Sequence, residues 1–176
     1  MLIQSITSNR VSLLQNNNKK IKNSNTPASN PSSTSLPSNI DAKSLININF
    51  KARIHDYAEN GDLEGVRSEL SKGIDINLKD NWDDTALILA AREGKTETVQ
   101  ELLKNNDINV NLKNKAGNTA LILAAREGKT ETVQELLKNN DINGNLQNYC
   151  GNTALIETAY RGKTETVQEL LNHKDI

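Results

Sequence analysis

Residues 85–109 of the chain read TALILAAREGKTETVQELLKNNDIN. Residues 119–143 repeat this string without a single change, at an offset of 34 residues. A third copy, residues 153–176, reads TALIETAYRGKTETVQELLNHKDI and begins another 34 residues later. A fourth and more divergent copy covers residues 50–77, with its apolar positions 33 residues before those of the quoted stretch. A fixed period of this length is the sequence signature of a protein built from stacked repeats.

Each copy predicts two short helices joined by a tight turn. Thr85 stands where a side-chain oxygen can cap the first helix, and Gly94 stands where a left-handed residue can end it. Residues 99–103 then carry one apolar stripe at helical spacing, which a neighbouring unit can bury. The Asn-rich segment at residues 105–118 predicts an extended turn or hairpin before the next unit.

The pattern resembles the ankyrin repeat over residues 46–176. In outline, that family's motif reads D-x-x-G-x-T-P-L-H-x-A-A-x-x-G, then V-x-x-L-L, then G-A-D-V-N. The chain matches the motif at Asp80, Thr85, Leu87, Ala90, Ala91, Gly94, Val99, Leu102, Leu103, Asn109, Val110 and Asn111. The tetratricopeptide repeat has a similar period, but its Trp-Leu-Gly-Tyr signature is missing.

The resemblance implies an all-α repeat solenoid in which helix-turn-helix units with hairpin loops are stacked side by side. The predicted units are residues 46–79, 80–113, 114–147 and 148–176, which we call the first, second, third and fourth units. A disordered N-terminal tail is expected to precede them.

The chain departs from the family motif in two places that affect the expected structure. Ala86 and Ile88 stand where the family has Pro and His, and the same change recurs in the next two units, so apolar contacts replace a polar network. Asp83 replaces a turn glycine that Gly117 and Gly151 retain. We therefore expect the hairpin of the second unit to be strained or differently shaped, although Asp tolerates left-handed geometry better than most residues.

The N-terminal part differs in composition from the repeats. Residues 1–40 contain four basic residues and no acidic one, so with a total charge of -1 the remainder carries -5. A segment this rich in Asn, Ser and Pro cannot bury enough apolar surface to offset the entropic cost of ordering the chain. We expect residues 1–45 to be a disordered, weakly basic tail, with an organelle transit peptide as the less favoured reading.

Composition and residue positions also exclude several functions. Lys and Arg are spread along the chain, which disfavours nucleic-acid binding, and no apolar stretch approaches the ~20 residues of a membrane span. Cys150 is the single cysteine, and His55 lies three units away from it, so neither a catalytic pair nor a metal site is expected. We therefore predict a protein that is not an enzyme and that needs no cofactor.

The resemblance implies a surface that binds a partner protein through the hairpin tips and the concave face of the first helices. Carried over position by position, the predicted contact residues are Trp82, Asp84, Arg92, Glu93, Lys115, Asn118, Arg126, Glu127, Tyr149, Asn152, Tyr160 and Arg161. This set holds three of the five aromatic residues, and Trp, Tyr and Arg are the usual anchors of interfaces. The alternative that Trp82 and Tyr149 only pack on adjacent hairpins stays open.

A second class of function is also open. Identical units give identical surfaces, so the array is alternatively a structural spacer or a piece of a longer array. In that case Leu170 and Leu171 lack a following unit, which favours weak self-association at the C-terminal end. Glu157 and Thr158 are interpreted as polar changes that adapt the outer face of the last unit. The expected location is cytoplasmic, with non-classical export from an intracellular bacterium or targeting to an organelle as alternatives.

Overall fold

A computed structural model of the chain describes residues 53–174 and residue 176. The predicted tail at residues 1–45 lies outside the described residues, as do residues 46–52 of the predicted repeat domain. The described residues belong to one compact unit and contain helices and turns but no strands. Their eight helices are α1 (53–60), α2 (Leu63–Ser71), α3 (Ala86–Glu93), α4 (Thr96–Leu103), α5 (Ala120–Arg126), α6 (Thr130–Leu137), α7 (Ala154–Tyr160) and α8 (Thr164–Leu171).

The helices form pairs that stack in chain order. The first helices α3, α5 and α7 contact one another in sequence, and the second helices α2, α4, α6 and α8 do the same. Each unit therefore buries its apolar side against its neighbours rather than around one central core. This arrangement confirms the predicted all-α repeat solenoid.

The first helices begin where the sequence predicts. The hydroxyl oxygens of Thr85, Thr119 and Thr153 accept hydrogen bonds from backbone N–H groups three residues later, at 3.2–3.3 Å. Gly94 has φ 71°, and its N–H bonds to carbonyls of the last turn of α3. A Cβ atom at Gly94 would also lie 2.7 Å from Cδ of Lys129. The left-handed conformation favours glycine at this helix end, and the missing side chain leaves room for Lys129 of the next unit.

Apolar side chains on both helices of each unit fill the spaces between units. Ile88 and Ile122 are each 1% exposed, and Leu102 and Leu136 are fully buried. Burying one such side chain contributes about 1.5–3 kcal/mol. The expectation that apolar contacts replace the family's polar network is confirmed at Ile88 and Ile122.

Hydrogen bonds from polar side chains also link the units. The Asn77 side chain donates to the Asp107 carbonyl at 2.7 Å and accepts from the Asn109 N–H at 2.8 Å. Asn111 makes the same two bonds to the following unit. We refer to these bonds as the asparagine ladder. In each of these two loops, one backbone carbonyl and one backbone N–H are hydrogen-bonded by the side-chain amide of an asparagine from the preceding unit. Neither backbone group is therefore left without a partner.

Thr158 does not lie on the outer face of the fourth unit. Its side chain is fully buried, and its hydroxyl donates to the Ala125 carbonyl at 2.9 Å. The interpretation of Thr158 as an adaptation of the outer face is therefore wrong, because this hydroxyl attaches the fourth unit to the third.

Candidate protein-binding surface

The three described hairpins have the same internal construction. In the hairpin of the third unit, Oδ1 of Asn114 accepts hydrogen bonds from the N–H groups of Ala116 and Asn118, both at 3.0 Å. Asp80 and Asn148 make the equivalent bonds in the hairpins of the second and fourth units. These internal hydrogen bonds stabilise the closed conformation of the loop, so the residues at its tip project away from the helices.

Neighbouring hairpins are joined through their backbones. The N–H of Lys115 donates to the Trp82 carbonyl at 2.9 Å, and the N–H of Tyr149 donates to the Ala116 carbonyl at 3.2 Å. The tips therefore form one continuous edge with a fixed spacing between successive side chains.

The hairpin of the second unit keeps this construction despite Asp83. Asp83 has φ 60°, the left-handed region that Gly117 occupies with φ 78°. The closing bond from the Asp80 N–H to the Asp84 carbonyl is 2.9 Å, and the equivalent bonds of the third and fourth units are 3.0 and 2.9 Å. Of the two expectations for this hairpin, a different shape is wrong, and a left-handed residue other than glycine remains as the source of strain.

The aromatic side chains of the predicted surface are exposed to solvent. Trp82 is 70% exposed, Tyr149 is 76% exposed and Tyr160 is 85% exposed. The ring of Tyr149 also lies against the neighbouring hairpin, since a Cβ atom at Gly117 would fall 2.8 Å from Cδ1 of the ring. Packing on an adjacent hairpin and exposure to a partner therefore both apply to Tyr149: one part of the ring packs on the neighbouring hairpin, and most of the ring is exposed.

Asp84 and Asn118 are buried, at 5% and 6% exposure. Oδ1 of Asp84 accepts a hydrogen bond from the Asn114 side chain at 2.8 Å, and Oδ1 of Asn118 accepts one from Asn148 at 3.1 Å. Burial raises the pKa of Asp84, and the hydrogen bond from Asn114 opposes this increase. Both residues therefore lie between hairpins, where the next hairpin covers them.

Glu157, which the sequence analysis interpreted as an adaptation of the outer face of the last unit, instead faces the hairpin of its own unit. Its Oε1 atom accepts hydrogen bonds from the side chains of Asn152 at 2.9 Å and Asn148 at 3.0 Å. The bond from Asn152 is the main reason that the pKa of Glu157 is lowered. Asn152 is half-buried and faces this carboxylate. The sequence signal for Glu157 was the alignment of the repeats, because the apolar Leu123 occupies the same position in the third unit.

The remaining predicted residues lie at the ends of the first helices and on the hairpin tips. Lys115 and Arg161 are exposed, as are Glu93 and Glu127. Arg92 and Arg126 are half-buried, and in each the Nε atom donates to the carboxylate of the following glutamate at 3.0 Å.

The histidine and cysteine considered as a catalytic pair lie in different units. His55 is buried in α1, with Nε2 3.0 Å from the Leu78 carbonyl, whereas Cys150 is exposed on the hairpin of the fourth unit. Within residues 53–174 and at residue 176, no three His, Cys, Asp or Glu side chains come together as a metal site. In the same part of the chain, no helix has the length and apolar character that crossing a membrane requires.

Stacked helix pairs joined by hairpin loops define a helical repeat protein. Residues 54–148, more than half of the chain, match the family model described as ankyrin repeats in three copies. The chain belongs to the ankyrin-repeat family. Such repeats are generally protein–protein interaction modules and are typically non-catalytic. A search of curated proteins found no match to the chain.

Proposed function

We propose that the chain is a non-catalytic module that binds a partner protein through its hairpin tips and the exposed ends of its first helices. The observation that carries this proposal is the exposure of Trp82, Tyr149 and Tyr160, which are 70–85% exposed. Large aromatic side chains contribute most when they are desolvated at an interface, where their ring surface is removed from water.

The charged residues around these aromatics support the same proposal. The proposed contact surface consists of Trp82, Arg92, Glu93, Lys115, Arg126, Glu127, Tyr149, Asn152, Tyr160 and Arg161. It combines exposed aromatic rings and arginines, which are enriched at protein interfaces, with charged residues of the kind that form the polar rim of an interface. The location of the protein in the cytoplasm stays a prediction.

A pulldown with the full chain tests this proposal. Replacing Trp82, Tyr149 and Tyr160 together by Ala should abolish capture of the partner protein, because each side chain would contribute ring surface to the interface. A matched control replaces Glu97 and Glu131, which are exposed on the second helices α4 and α6, by Ala and should leave capture intact.

A thermal melt by circular dichroism accompanies each variant in this pulldown. Melting temperatures close to that of the wild type would show that the triple variant loses contacts rather than its fold. The proposal fails if the triple variant captures the same proteins in the same amounts as the wild type.

We propose weak self-association through the outer face of the fourth unit as a second function. Ile156 is 46% exposed, whereas Ile122, its equivalent in the third unit, is 1% exposed. A Cβ atom at Gly128 would lie 2.8 Å from Lys163 of the next unit, but nothing lies within 4 Å of the equivalent position at Gly162. The fourth unit thus presents the surface on which other units stack.

Sedimentation velocity over a range of concentrations tests self-association. The wild type should show a dimer at high concentration, because stacking two copies removes Ile156 and Leu171 from water. Replacing both residues by Lys should leave only the monomer. Replacing the exposed Trp82 by Lys is the matched control and should not change the dimer fraction. A monomer at every concentration would rule out this second function.

A further inference from the structure

We propose that the free end of the Arg126 guanidinium group binds an Asp or Glu side chain of the partner protein. This inference rests on the proposed function and identifies one contact within that surface. It arises from a comparison of Arg126 with Arg92, which occupies the same position in a unit of identical local sequence.

Arg92 is surrounded by carboxylates of its own chain. Its Nη2 atom donates to Oε1 of Glu59 at 2.7 Å, and its Nε atom donates to Oε1 of Glu93 at 3.0 Å. The Nη1 atom lies 3.6 Å from Oδ2 of Asp84. All three sides of this guanidinium group therefore face an internal negative charge.

Arg126 lacks two of these three carboxylates. Its Nε atom donates to Oε1 of Glu127 at 3.0 Å, as in the second unit. In the register of the repeats, however, the position of Glu59 is taken by Arg92, and the position of Asp84 is taken by the neutral Asn118. Among the described residues, no acceptor lies within bonding distance of Nη1 or Nη2 of Arg126.

Glu157 is an internal carboxylate that interacts with Arg126 without pairing with it. The charge of Arg126 contributes to the lowered pKa of Glu157, so the two groups interact. They do not form an ion pair, and Oε1 of Glu157 is occupied by the amides of Asn148 and Asn152. The two terminal nitrogens of Arg126 therefore remain available to a ligand from outside.

The chemistry of the group identifies the ligand. The two Nη atoms of a guanidinium group form a planar fork that matches the two oxygens of a carboxylate. The side chain of Arg126 is 28% exposed, so it is held in place and gives up little conformational freedom on binding. Charge complementarity therefore favours an acidic side chain of the partner.

The neighbouring unit indicates what lies beside that acidic residue. Tyr160 occupies the equivalent position in the fourth unit and is 85% exposed. Stacked helices lie about 8–10 Å apart. We therefore expect a partner segment that places an apolar or aromatic side chain roughly 10 Å from the carboxylate, on the side facing away from Arg92.

Selection from a phage library of random 12-residue peptides on the immobilised full chain provides the probe. The selected peptides should be enriched in Asp or Glu at one position. Fluorescence anisotropy then measures the Kd of one labelled peptide and of its variant with Gln at that position. Variants R126Q and R126K should each raise the Kd of the acidic peptide about tenfold or more, because Gln removes the charge and Lys removes the fork.

A double-mutant cycle and a matched control make the test specific. R126Q should not weaken the Gln peptide further, because the interaction is already absent. R67Q should change the Kd by less than about twofold, since Arg67 lies on α2, outside the proposed contact surface, and is bound to Glu64 and Glu101 of its own chain. Peptides without acidic enrichment, or a Kd unchanged by R126Q, would overturn the inference. Peptides that lose binding on Tyr160→Ala but not on R126Q would overturn it while the proposed function stands.

Discussion

The second and third units share 25 consecutive identical residues, yet the same side chains have different partners in each. Arg92 meets Glu59 of the unit before it, whereas Arg126 meets no such carboxylate. Glu101 receives hydrogen bonds from both Arg67 and Lys104, whereas at Glu135 the neutral Gln100 of the second unit takes the position of Arg67. In a stacked array, the preceding unit therefore determines the role of a side chain, even where the local sequence is identical.

The largest expected effects in a comparison of the second and third units come from the buried leucines of their second helices. Leu102→Ala and Leu136→Ala should each lower the free energy of unfolding by about 2–5 kcal/mol, because each removes a fully buried side chain and leaves a cavity. Both leucines have a unit on either side, so the two losses should agree within about 1 kcal/mol. Urea unfolding of the full chain measures both.

The exposed Leu171 provides the control for the buried stripe. It is 60% exposed, so Leu171→Ala should cost well under about 1 kcal/mol. A large difference between the losses at Leu102 and Leu136 would mean that identical buried residues are not equivalent in this array.

The hairpins offer a second, smaller contrast. Gly117→Ala should lower the free energy of unfolding by about 2 kcal/mol, because Gly117 has φ 78° and a Cβ atom would lie 2.7 Å from the Tyr149 backbone nitrogen. Gly151 has φ 80° but nothing within 4 Å, so Gly151→Ala measures the left-handed strain alone, about 1 kcal/mol. Equal thermal destabilisation by the two substitutions would argue against a close contact between the hairpins.

The smallest expected effect concerns pH. Hydrogen bonds from Arg67 and Lys104 lower the pKa of Glu101 to about 2, and a bond from Lys138 lowers that of Glu135. A lowered carboxyl pKa stabilises the fold above the pKa of the unfolded chain, and this stabilisation is lost as the pH falls towards the folded value. Glu101→Gln should therefore cost more than Glu135→Gln at pH 7, by under about 1 kcal/mol.

Urea unfolding at a series of pH values measures this difference. It should shrink between about pH 5 and pH 2, where the unfolded and then the folded carboxylate become protonated. A difference that does not change with pH would show that the two carboxylates act through packing rather than charge.

Features within one repeat could be predicted from the sequence. The cap at Thr85, the left-handed Gly94 and the apolar stripe all follow from residues close to one another in the chain, and the structure confirms them. The left-handed turn at Asp83 was also predictable, because the position of the glycine it replaces was known from the repeat.

Features that depend on a neighbouring unit were harder to predict. Asp84 and Asn118 were expected at the surface, but side chains from the next hairpin cover them. The difference between Arg92 and Arg126 is invisible in a string that is the same around both. Only the register between units shows it, since residues about 33 positions apart become neighbours.

The asparagine ladder has a consequence for how the array responds to mechanical force. The Asn77 side chain is hydrogen-bonded to two backbone groups of the second unit, and the Asn111 side chain to two backbone groups of the third. When the ends of the array are pulled apart, these short links carry the load one after another. Tension should therefore peel the units off singly, giving a train of small rupture events instead of one large break.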